Sequence, residues 1–71
     1  MYDQDLYDER VTEIVDLAAA SGYMLALAQR DGGWEALCAP KRGARPAPVS
    51  AFAATRTEAA ERAFAAVQLA A

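Results

Sequence analysis

Seventy-one residues with a net charge of −3 allow a single small domain spanning 1–71, near the lower edge of what folds alone. The chain has no histidine and one cysteine, which removes the commonest general base and pH switch, any internal disulfide and the usual zinc sets. No apolar run approaches the ~20 residues of a membrane span, and the acidic start does not resemble a targeting peptide, so a cytoplasmic chain with no membrane role, metal or cofactor is expected.

Asp3 or Asp5 can cap a first helix, and the carboxylates that follow suit its positive N-terminal end. Tyr7, Val11, Ile14 and Ala18 recur at helical spacing, flanked by Leu6, Val15 and Leu17. Ser21-Gly22 ends this helix, with Gly22 suited to a left-handed cap. Arg30-Asp31-Gly32-Gly33 then divides two apolar runs, Tyr23–Gln29 and Trp34–Ala39. Asp-Gly and Gly-Gly supply the positive φ angles of tight hairpin turns, so the runs read as antiparallel strands. Alternation puts Tyr23, Leu25 and Leu27 on one face and Met24, Ala26 and Ala28 on the other. In the second strand Trp34, Ala36 and Cys38 oppose Glu35, Leu37 and Ala39. Cys38, inside an apolar strand, is expected to be a buried and inert thiol.

Pro40 stops the second strand, and residues 40–48, with three prolines and one glycine, form an exposed loop. Val49–Ala54 reads as a short third strand with Val49, Ala51 and Ala53 sharing a face. Thr55-Arg56-Thr57-Glu58 fits a capping box that opens a last helix, whose stripe is Ala60, Phe64, Val67 and Ala71 with Ala63 filling in. Glu58 and Arg62 are spaced to pair across one turn. The order is α-β-β-β-α, an α+β domain with two helices on one face of a three-stranded antiparallel sheet.

The core of such a domain is small. Of the 55% hydrophobic residues, 19 are alanine, leaving about twenty larger apolar side chains. A core of this size seldom supplies more than about 3–5 kcal/mol, which favours a homodimer or an obligate protein partner, contacted through an edge strand or a helix face. Charge is uneven: residues 1–20 hold six acids against Arg10, whereas residues 40–56 hold Lys41, Arg42, Arg45 and Arg56 with no acid.

The run from Tyr23 through Asp31-Gly32-Gly33-Trp34-Glu35-Ala36, then Pro40, Gly43 and Thr57-Glu58-Ala59-Ala60, resembles the HicB-like antitoxin pattern over about residues 23–70. That family has a hairpin with an acidic-Gly-Gly-aromatic turn, a proline after the second strand, a glycine-bearing loop, a third strand and a capped helix. Its members bind a small RNA-cleaving toxin and usually carry a separate DNA-binding segment. The resemblance implies an antitoxin-like role with a protein partner. This chain adds an acidic first helix and has nothing after Ala71 to bind DNA, so repression of its own operon by the family's route is not expected. The same order is that of the double-stranded-RNA-binding fold, which grips A-form RNA with a lysine cluster and a histidine-bearing loop. Here the last helix opens with Arg56, Thr57 and Glu58, so a shared scaffold with a different partner is expected.

The leading expectation is a non-enzymatic protein-interaction module: a small inhibitor, antitoxin-like factor or accessory subunit. Its candidate contact residues are Tyr2, Asp5, Tyr7, Asp8, Glu9 and Trp34, aromatics and carboxylates suited to anchoring or to imitating phosphate. The alternative is weak, salt-dependent nucleic-acid binding by Arg30, Lys41, Arg42, Arg45 and Arg56. No spacing marks a metal site, phosphate loop or nucleophile–base pair, so no catalytic residue is assigned.

Overall fold

The acidic segment forms a helix, α1 (Glu9–Ala20), whose last carbonyls are capped by the amides of Ser21 and Gly22, with Gly22 at φ 92°. Positive φ there costs glycine nothing and releases the chain directly into a strand. The computed structural model describes residues 9–43 and 45–70. After α1 come strands β1 (Tyr23–Arg30), β2 (Gly33–Pro40) and β3 (Val49–Ala53), then helix α2 (Arg56–Ala70). The three strands form one open antiparallel sheet in the order β1-β2-β3, an α+β fold of order α-β-β-β-α. The tip of the first hairpin sets the register of β1 against β2. Arg30 pairs with Gly33 and Tyr23 with Pro40, while β2 meets β3 from Trp34↔Ala53 to Cys38↔Val49.

The alternation read from the sequence selects the buried face. Ala36, Cys38 and Ala53 from the sheet pack against Ala59, Ala63 and Val67 of α2, all at most 4% exposed. Small side chains on both sides let the helix approach the strands closely, and larger groups close the rim. Tyr23 meets Phe64 edge-on, with ring centroids 6.4 Å apart and planes at 68°. On α1, Ile14 and Ala18 are buried, and Arg10 reaches across to Glu61 of α2 at 3.0 Å. Thr55 caps α2 by accepting from the Glu58 amide at 3.2 Å. The Glu58 carboxylate, rather than returning to the cap, accepts from Arg62 at 2.8 Å.

Several expectations change in detail. Gly33 is not a turn residue: it opens β2, and only Gly32, at φ 81°, has positive φ at the tip. Glycine at 33 answers a close approach instead, because a Cβ there would collide with the carbonyl oxygen of Ala53 and lie 3.0 Å from Phe52 Cζ. β1 and β2 extend to Arg30 and Pro40, and β3 ends at Ala53 rather than Ala54. The buried stripe of α2 includes Ala59, while Phe64 is only half-buried at the rim. Leu17, read as flanking the apolar stripe of α1, is 54% exposed. Leu6, Tyr7 and Ala71, also assigned to helical stripes, lie outside the described residues.

Candidate interaction surfaces

Both helices cover one face of the sheet, so the alternate residues of every strand line the other face. Met24 (58% exposed), Leu37 (46%) and Phe52 (50%) stand on this bare side. The register arranges them in rows: Met24 beside Ala39, Ala26–Leu37–Ser50, and Ala28–Glu35–Phe52. Arg30 Nε donates to Glu35 Oε1 at 3.0 Å, giving the apolar surface a charged border near the hairpin tip. Ala26, Ala28 and Leu37 line a shallow depression bounded by this ion pair. The arrangement is an apolar platform with a polar border.

The structure disperses the predicted cations. Arg30 is tied to Glu35 at the hairpin tip, and the Arg56 guanidinium lies 4.8 Å from the centroid of the Trp34 ring at the same end. Lys41 sits at the other end of β2, about 24 Å away along the strand. There its amide donates to the Gly22 carbonyl at 2.9 Å, and its Nζ lies 3.4 Å from the Ala19 carbonyl at the C-terminus of α1. A cation at that position suits the helix dipole. Arg42 and Arg45 are exposed on the following loop. The five cations therefore form no single patch.

Among the candidate contact residues, Tyr2, Asp5, Tyr7 and Asp8 lie outside the described residues, and Glu9 is exposed in the first turn of α1. Trp34 faces the helices, packed against the core beneath Arg56. The acidic helix is partly neutralised from within. Arg10 donates to Glu61 and to Glu13, at 3.0 and 3.2 Å, and these hydrogen bonds hold its guanidinium above its ordinary pKa. Cys38 is fully buried in the core, and desolvation pushes its thiol pKa upward, away from the reactive thiolate. Among the described residues, no group of three His, Cys, Asp or Glu could hold a metal ion, and no helix is long and apolar enough to cross a membrane.

The bare sheet face was missed as a site, although its signal lay in the sequence. Met24, Leu37 and Phe52 alternate out of register with the core residues, and two helices on one side leave the other side uncovered. No family model, curated protein or solved structure matches the chain.

Proposed function

We propose that this chain is a non-enzymatic protein-interaction module, an antitoxin-like factor, inhibitor or accessory subunit, that binds its partner on the outer face of its sheet. The observation that carries the reading is the half-exposure of Met24, Leu37 and Phe52 together on one face of so small a domain. Leaving a methionine, a leucine and a phenylalanine half in water forgoes about 1 kcal/mol each, roughly half of what full burial from full exposure contributes. A protein with an alanine-built core gains more than most from covering them. Methionine and aromatic side chains are also among the residues enriched at binding surfaces.

Two further observations support it. The chain's only thiol is buried and protonated, which removes the strongest nucleophile from surface chemistry. Nucleic-acid binding draws less support, because Arg30, Lys41 and Arg56 each have an intramolecular role and stand at opposite ends of the sheet.

The test is a paired affinity capture from nuclease-treated lysate, with wild-type bait and a Leu37→Glu/Phe52→Glu bait of matched circular dichroism. A stoichiometric protein retained by wild type and lost by the variant is the expected result. Equal capture by both baits, or capture that disappears with nuclease, would overturn the reading.

A further inference from the structure

We infer that two copies of this chain associate through the free edge of β1, pairing antiparallel about Ala26 to make one six-stranded sheet. The association uses the edge of the sheet, not its outer face, and is independent of the partner reading above.

The two edges of the sheet are treated differently. The Lys41 amide donates to the Gly22 carbonyl, one step beyond the Tyr23↔Pro40 pair. Main-chain groups alternate in direction along an antiparallel ladder, so Met24, Ala26, Ala28 and Arg30 face β2. Tyr23, Leu25, Leu27 and Gln29 turn their amides and carbonyls out of the sheet. The same alternation turns Ser50 and Phe52 outward on β3, where Arg62 Nη1 donates to the Phe52 carbonyl at 3.0 Å. That edge is also only five residues long and follows Pro46 and Pro48. Short length, proline and a covering side chain are ordinary protections of an edge strand.

Among the described residues, β1 has none of these protections. It runs eight residues without proline, and its one charge, Arg30, is drawn over the sheet to Glu35. Among the described residues no hydrogen bond reaches its outward main-chain groups. Such an edge is a template for another strand.

A second copy fits this edge in a definite register. With a two-fold axis at Ala26, Leu25 meets the second copy's Leu27 and Tyr23 meets its Gln29, so all four outward-facing residues find hydrogen-bonding partners. Each pair lies on one face, as the pleat requires. Leu25 and Leu27 join on the core side, and Met24 faces Ala28 on the outer side. The two Arg30 residues fall at opposite ends of the seam. Charge also complements across the axis. α1 packs over β1, so the two α1 helices run antiparallel above the seam. The acidic N-terminal half of one, with Glu9 and Glu13, then lies toward the C-terminal end of the other, where Lys41 is held. Pairing would join the two bare outer faces into one continuous platform.

Sedimentation equilibrium of the full chain, with a register-specific crosslink, tests this. The expected mass is twice the 7.6 kDa of one chain, falling toward 7.6 kDa on dilution. Ala26→Cys would bring two thiols together in a non-hydrogen-bonded pair with Cα atoms about 4.5 Å apart, inside disulfide range. Ala28→Cys leaves the two Cα atoms about 14 Å apart. Ala26→Cys should therefore crosslink under mild oxidant at least about tenfold faster than Ala28→Cys. Wild type, with Cys38 buried, should not crosslink. A constant mass of one chain, equal crosslinking of the two variants, or a monomer that takes up only a foreign extended peptide on β1 would overturn the inference.

Discussion

Gly33 offers the sharpest separation between two reasons for a glycine. A Cβ at this position would strike the Ala53 carbonyl, a main-chain atom that cannot swing aside as a flexible side chain can. Gly33→Ala must therefore push β3 outward or shear it along β2, and overpacking of this kind costs about 1–3 kcal/mol. The reduced freedom of the unfolded chain returns about 0.4–1 kcal/mol, leaving a net loss of about 1–2 kcal/mol. For a domain of this size each kcal/mol moves Tm by about 4–8 °C, so Tm should fall by about 5–15 °C. The control is Gly32, where φ is 81° and a Cβ would meet nothing within 4 Å. Asparagine tolerates that backbone region, so Gly32→Asn should cost less than Gly33→Asn. Thermal unfolding followed by far-UV circular dichroism and Trp34 fluorescence reads both. An unchanged Tm for Gly33→Ala, or a larger loss for Gly32→Asn, would refute the close-approach argument.

Three other perturbations address the core, the cap and the buried thiol. Val67 is fully buried, so Val67→Ala should cost about 2–3 kcal/mol in urea unfolding, from two lost methyl groups and the cavity they leave. Thr55→Ala removes the acceptor for the Glu58 amide and should cost about 1 kcal/mol by the same assay. Burial raises the Cys38 pKa above 9.0, so the unfolded chain ionises first as pH rises. The stability this group contributes is complete below pH 9.0 and declines above it. Urea titrations at rising pH should show a steeper alkaline loss for wild type than for Cys38→Ala, and parallel curves would refute this.

Most of the architecture was legible because its signals are local and independent. Alternation in Tyr23–Gln29 and Trp34–Ala39 separated the core face from the bare face, and Gly22, Thr55 and the hairpin tip bounded the elements. The position of Gly33 was misread because a glycine beside Asp-Gly carries the same letter whether it serves the turn or a neighbouring strand. Only the β2–β3 register, a long-range property, decides between them. Ala59 escaped the predicted stripe of α2 because alanine marks periodicity poorly when it also fills the exposed positions. Arg30, Lys41, Arg42, Arg45 and Arg56 stand as one nucleic-acid candidate in the sequence because cations on loops and turns can converge, whereas the strand length between Arg30 and Lys41 holds those two apart. Met24, Leu37 and Phe52 could have been assigned to a surface from the sequence alone, since two helices placed on one face of the sheet leave its other face to the alternate residues.

The central claim is that the bare sheet face is covered by a protein partner, and hydroxyl-radical footprinting tests it without knowing that partner. Met24 and Phe52 are about half exposed on that face, and Leu69, 87% exposed on α2, serves as the internal reference. The dilute purified chain and the chain in its native lysate would be labelled under matched radical dose. Protection of Met24 and Phe52 in lysate, with Leu69 unchanged, is the expected result. Equal labelling of all three residues in both samples would contradict the claim.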